Sequence, residues 1–156
     1  MNDLDEISEI YNEAILKTVA TFDTRPKTVE EQKRWFEGHG PKNPIIVIEQ
    51  DEAVVGWAAL SSYSTKCAYS NTAEISLYVK IGHHSMGIGK KLIEEIVKEG
   101  KKAGLHALIA RITEGSQASI HLHELVGFEH VGILKEVGFK FDKLLDVCLM
   151  QKICKK

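Results

Sequence analysis

Long apolar runs are missing from this chain of 156 residues. No stretch comes near the ~18 consecutive apolar residues that a membrane-crossing helix needs, which excludes a helical membrane protein. Cysteine is scarce. Cys67, Cys148 and Cys154 are an odd number without metal-ligand spacing, so they are read as reduced, small buried hydrophobes or idle thiols. Charge of one sign is missing too. The net charge of −2 gives neither nucleic acid nor an anionic membrane surface a reason to be the partner. The opening MNDLDEISEI is acidic and lacks the basic and apolar regions of a signal peptide, so a cytoplasmic address is expected. No repeat or low-complexity segment occurs.

What is present is an ordinary globular composition, 44% hydrophobic and 27% charged, over a length that suits one domain spanning residues 1–156. Leu4, Ile7, Ile10, Tyr11, Ala14, Ile15 and Val19 recur at helical spacing. Thr28, followed by Glu30 and Glu31, predicts an N-cap for a second helix that ends near Gly38. Residues 45–50 and 53–63 read as a hairpin turning at Asp51-Glu52, with Gly56 marking a bulge or a close backbone approach. Residues 72–80 form the next strand. A long helix carrying Ile88, Leu92, Ile93, Ile96, Val97 and Ala103 on one face follows, stopped by Gly104. A strand (105–112), a short helix (116–126) and two more strands (129–137 and 144–152) complete the order ααβββαβαββ. This predicts a mixed α/β fold, a central mixed sheet of about six to seven strands with helices on both faces.

The segment LYVKIGHHSMGIGKK joins a strand to a helix through Gly87-Ile88-Gly89. It is neither a P-loop, which needs Gly-Lys-Ser/Thr, nor a dinucleotide fingerprint, which needs a third spaced glycine. A Gly-x-Gly turn alone is as compatible with a tight turn as with a phosphate site. Its position at a helix N-terminus leaves backbone N–H groups unpaired with the helix dipole behind them, and Lys90 and Lys91 add positive charge.

With this turn, the segments IYNEAILKTVATFDTRPKTVEEQKRWF, VVGWAALSSY, TAEISLYV, SIHLHELVGFEHVG and LKEVGFKFDKLLDV stand in order along almost the whole chain. Together they resemble the GNAT superfamily of N-acetyltransferases, and within it the phosphinothricin acetyltransferase group. The resemblance implies acetyl-CoA as cofactor, its pyrophosphate on His84, Ser85, Met86, Gly87, Ile88, Gly89 and Lys90. The pantetheine arm would pair with Leu77, Tyr78 and Val79 as an added strand, near Ser116 and Ser119. It implies transfer of an acetyl group to a small amino-acid-like amine of the phosphinothricin, methionine sulfoximine or methionine sulfone type, by direct attack on the thioester. A homodimer is expected by the same resemblance.

Three residues receive catalytic roles. Glu74 stands where similar enzymes carry a base, and could take a proton from the substrate ammonium directly or through water. The backbone N–H of Val79, freed where the strand splays from its neighbour, would stabilise the oxyanion. His123, in place of a commoner tyrosine, could donate a proton, position the sulfur or touch the acceptor. Candidates for the acceptor pocket are Phe22, Tyr63, Tyr69, Thr72, Lys135, Val137, Gly138 and Phe139. No metal is expected, because His121 and His123 point to different faces of a helix and His83 and His84 are adjacent.

The chain departs from the family pattern at His84 and Ser85, where Gln or Arg and a second basic residue are usual. It departs again at Ser116 for asparagine, at Leu144 for tryptophan, and at Ser70, where a Tyr-Arg pair is replaced by Tyr69-Ser70. An arginine there would suit a substrate carboxylate; serine supplies no charge. A non-catalytic acyl-CoA sensor, and an acetyltransferase for a polyamine, an aminoglycoside or a protein N-terminus, are the alternatives.

Overall fold

In a computed structural model, which describes residues 3–155, the chain runs α1 Asp3–Lys17, α2 Val29–Glu37, β1 Ile45–Gln50, β2 Ala53–Ser62, β3 Thr72–Val79, α3 Ile88–Lys102, β4 Ala107–Thr113, α4 Gln117–Leu125, β5 Glu129–Lys140 and β6 Lys143–Ile153. A short 3₁₀ turn, Cys67–Tyr69, precedes β3. The order of elements is the one the periodicity predicts. The six strands form one sheet in the order β1-β2-β3-β4-β6-β5, antiparallel except for β3 and β4.

Local chemistry explains the boundaries. Thr28 accepts from the Glu31 N–H while the Glu31 carboxylate accepts from the Thr28 N–H, a reciprocal capping box that starts α2. Asp51 and Glu52 both take positive φ, the two-residue turn that matches the twist of a hairpin. Gly56 serves both purposes expected of it. The β1–β2 register slips beside it, and a Cβ there would stand 2.9 Å from Leu92 and 3.0 Å from Ile88 of α3.

The sheet is covered on both faces. Val55, Ala58 and Leu60 of β2 meet Ile88, Leu92, Ile93, Ile96 and Val97 of α3. On the other face Val54, Trp57 and Ala59 meet Ile7 and Ile10 of α1. Strand β2 is therefore buried nearly throughout, and its alternation is apolar on both sides. Cys148 and Cys154 are buried and Cys67 is exposed; all three are free thiols. Among the described residues no helix is long and apolar enough to cross a membrane.

Candidate active site

The only parallel pair in the sheet is also its shortest. Strands β3 and β4 hold together over Thr72–Glu74 and Ala107–Ile109, then part. Strand β3 stays paired with β2 along its whole length, from Ala73 with Ser62 to Val79 with Gly56. The Thr72 carbonyl and the Lys80 N–H both bond toward β2. Strand alternation therefore turns the backbone of residues 72, 74, 76 and 78 to β2, and that of 75, 77 and 79 to the gap on the β4 side. A cleft of about 420 Å³ follows this gap, lined by Leu77, Val79, His84, Ser116, Ser119, Leu122 and His123 among others.

Helix α3 begins at the top of the gap. Its N-cap, Gly87, has φ +78, and Ser85 before it has φ +64. No side chain caps this end and no acid lies in its first turn, so the N–H groups of Ile88, Gly89 and Lys90 are presented as a bare positive helix terminus. The two glycines of the turn differ in purpose. Gly87 is required by its left-handed backbone. Gly89 serves packing, since a Cβ there would stand 2.9 Å from the end of the Leu122 side chain of α4, which would have to shift. The Ile88 side chain lies in the core, leaving only its backbone for a ligand. Tested against a pyrophosphate and an extended pantetheine arm, this arrangement fits. An uncapped helix end suits the anion, and the freed edge of β3 suits a strand-like amide chain.

On the opposite face of the sheet, Glu74, Ser76, Tyr78, Arg111 and Thr113 line a second cleft, of about 600 Å³, beneath the segment after α1 that carries Thr21, Phe22 and Asp23. Glu74 and Arg111 also line the first cleft, so this pair stands where the two spaces meet. Arg111 Nε and Nη2 each donate to one Glu74 oxygen at 2.8 Å, a bidentate pair just beyond the last rung, Glu74 with Ile109, where the strands part. The Glu74 carboxylate raises the Arg111 guanidinium above its ordinary range. Tyr11 donates its hydroxyl to Asp23, and Lys27 reaches the same carboxylate at 3.1 Å. Burial pushes Asp23 up, but the Tyr11 hydroxyl and Lys27 outweigh it and hold the carboxyl below its usual range. Burial pushes the Tyr78 phenol up to about 12, so it is a neutral hydrogen-bonding wall. A smaller space of about 320 Å³ shares Tyr11, Asp23, Ser76 and Tyr78 with this cleft and continues to Trp35 and Trp57.

His123 lies on α4, 5% exposed, against the Phe128 ring. Its Nδ1 is 2.7 Å from the Ser119 carbonyl, which only accepts, so Nδ1 carries the proton. Burial lowers its pKa, against the raising effect of that carbonyl. The neutral form therefore keeps a lone pair on Nε2. Of the three roles the sequence leaves open, a ring whose N–H is committed to the Ser119 carbonyl suits positioning the sulfur or touching the acceptor better than donating a proton.

The structure gathers some of the acceptor-pocket candidates and scatters others. Phe22 and Val137 line the second cleft. Gly138 lies directly under Phe22, where a Cβ would come within 2.3 Å of the ring. Tyr63 and Tyr69 instead stack edge-to-face on each other at 5.2 Å, outside the three clefts. Thr72 sits where β3 and β4 are still paired, and Phe139 is exposed on β5. Lys135 is a surface partner of Asp146. Tyr78 turns its backbone to β2, so only Leu77 and Val79 of the predicted pairing edge face the gap. Sequence reasoning missed Arg111, Asp23 and Tyr11. The one available signal for Arg111 was a lone arginine between Ala110 and Ile112 in an otherwise apolar strand.

A mixed sheet split between β3 and β4, with an uncapped helix terminus at the head of the split, is the arrangement expected of an acyl-CoA-dependent acyltransferase. The chain belongs to the GNAT acetyltransferase family: the family model for the acetyltransferase (GNAT) domain matches residues 1–149. The L-methionine sulfoximine/L-methionine sulfone acetyltransferase of Salmonella typhimurium is 33% identical over 150 residues, 96% of this chain and 88% of that one. The phosphinothricin N-acetyltransferase of Streptomyces coelicolor is 33% identical over 154 residues, 96% of this chain and 90% of that one. The crystal structure of a phosphinothricin acetyltransferase from Sinorhizobium meliloti in complex with acetyl-CoA superposes with a TM-score of 0.91 at 35% identity, over 97% of this chain and 83% of that one. The chain is an N-acetyltransferase, and acetyl-CoA is its cofactor.

Proposed function

We propose that this enzyme acetylates the amine of a small amino-acid-like acceptor, of the kind represented by phosphinothricin, methionine sulfoximine and methionine sulfone. The observation that carries this reading is the Glu74–Arg111 pair at the junction of the two clefts. When bound, acetyl-CoA supplies an acyl group activated as a thioester. The freed backbone of Leu77 and Val79 and the N-terminus of α3 would hold it. Ser116, at the N-cap of α4, and Ser119 line the same cleft.

Glu74 is the proposed base, taking a proton from the acceptor ammonium so that the amine can attack. The Val79 N–H, turned to the gap, is the proposed oxyanion donor. His123, neutral and fixed by the Ser119 carbonyl, positions the acyl end of the cofactor. Phe22 and Val137 form the apolar wall of the acceptor cleft.

We place the enzyme in the cytoplasm on the strength of its three free thiols. It is read as a homodimer. Strand β5 is the edge of the sheet and carries Val131, Ile133 and Phe139 exposed, a surface that a second copy would cover.

Thiol release from acetyl-CoA, measured over a panel of amines, tests the function. Phosphinothricin, methionine sulfoximine or methionine sulfone should each be compared with polyamines, an aminoglycoside and a no-amine control. Amine-dependent release with an amino-acid analogue is expected; release with polyamines alone would replace the acceptor class.

A further inference from the structure

We propose that Arg111 is a specificity-determining residue that binds the α-carboxylate of the acceptor, so that Glu74 and Arg111 together recognise the zwitterionic head of a free amino acid. This rests on the acceptor class proposed above and narrows it to amines that keep a neighbouring carboxylate.

The guanidinium has two usable edges. Its Nε and Nη2 are engaged by the two oxygens of Glu74. That leaves the Nη1 side of the fork, whose flat geometry matches a second carboxylate. Arg111 is the only cationic side chain among those lining the acceptor cleft, which otherwise offers the acids Glu74 and Asp23. Asp23 is already met by Tyr11 and Lys27. Glu74 and Arg111 are paired with each other, but the Nη1 side of Arg111 and the remaining lone pairs of Glu74 stay open to an acceptor, one carboxylate and one guanidinium side by side.

An α-amino acid carries the complementary pair on adjacent atoms. Its carboxylate on Arg111 sets its ammonium beside Glu74, the group that must receive the proton. An acceptor without a carboxylate leaves the open side of Arg111 unmatched and sets any further cation of its own near the guanidinium, which selects against polyamines and aminoglycosides. The side chain of Arg111 is 60% exposed, open enough to be reached, and that of Glu74 is 24% exposed.

The test compares methionine sulfone with its primary amide, which keeps the amine and the side chain but has no carboxylate charge. The wild-type enzyme should prefer the acid by about 100-fold in kcat/KM. Arg111→Gln, which can still donate to Glu74, should lose about 100-fold on the acid, mostly in KM. On the amide it should lose at least about tenfold less than on the acid, because only its tie to Glu74 is at stake there. Arg111→Lys should restore part of the preference. Acetyl-CoA affinity should stay the same in all three proteins, which shows that the variants are folded.

An equal loss on both substrates would overturn the inference and leave Arg111 as a group that only positions Glu74. A wild-type enzyme that turns over the amide as well as the acid would overturn it while the acetyltransferase function stands. Inactivity on both, with acetyl-CoA bound, would remove the proposed acceptor class and this inference with it.

Discussion

Replacing Glu74 with Gln should lower kcat by about 10²- to 10⁴-fold while leaving acetyl-CoA affinity within about twofold. The two effects separate because β3 presents different atoms to the two substrates. The Glu74 side chain projects into the acceptor cleft, on the face away from α3, beside Ser76 and Tyr78. The proposed cofactor edge is the backbone of Leu77 and Val79, which faces the gap. Gln has nearly the same shape and still accepts one hydrogen bond from Arg111, so the fold should lose little. The pair is partly exposed, and exposed ion pairs are worth ~1 kcal/mol or less. Steady-state rates with saturating acceptor, set beside calorimetric titration of acetyl-CoA, check both halves. An unchanged rate would remove Glu74 as the base and leave the bidentate pair as a structural tie between β3 and β4.

Replacing Lys90 with Glu should move stability and cofactor affinity in opposite directions. The first turn of α3 contains no acid, and its N-cap makes no side-chain bond. A carboxylate at this position meets the positive end of the helix dipole, which favours the unliganded fold by ~0.5 kcal/mol. The same charge opposes a pyrophosphate brought to those N–H groups, and a Lys becoming Glu changes the local charge by two units. Acetyl-CoA affinity should fall by about tenfold or more at low salt, and less as salt is raised. Thermal unfolding without ligand and titration with ligand give the two numbers. Affinity that survives the charge reversal would place the pyrophosphate elsewhere. A helix that evolved only for stability would carry an acid or a Ser/Thr cap here. This one instead carries Gly87 at φ +78 followed by Lys90 and Lys91.

The elements were legible in the sequence because each is specified locally. Ile88, Leu92, Ile93 and Ile96 lie on one stripe of α3. Thr28 and Glu31 announce the start of α2, and Asp51-Glu52 the turn of the first hairpin. The glycine turn ahead of α3 could be located for the same reason, as a strand, a glycine pair and a helix in sequence. The polar partners in the second cleft could not. Arg111 and Glu74 are 37 residues apart and meet only through the β3–β4 register. Tyr11 and Asp23 meet through the packing of the segment after α1 over the sheet. The aromatic candidates near Glu74 in sequence, Tyr63 and Tyr69, meet each other edge-to-face and do not line the clefts. Gly89 was legible as necessary but for another reason, since the group it accommodates is Leu122. The charge missing at Ser70 has a counterpart in Arg111, on a strand where nothing in the local pattern distinguishes a site residue from a solvated one.

The central claim is that one freed strand edge, residues 75–79 of β3, together with the N-terminus of α3, holds acetyl-CoA. Residue-resolved amide hydrogen exchange with and without acetyl-CoA tests it most directly. The amides of Leu77 and Val79 face the gap, whereas those of Ser76 and Tyr78 are turned to β2. Saturating acetyl-CoA should therefore slow exchange at Leu77 and Val79 and at Ile88, Gly89 and Lys90, and leave Ser76 and Tyr78 nearly unchanged. Bound cofactor with no added protection at Leu77 and Val79 would contradict the account.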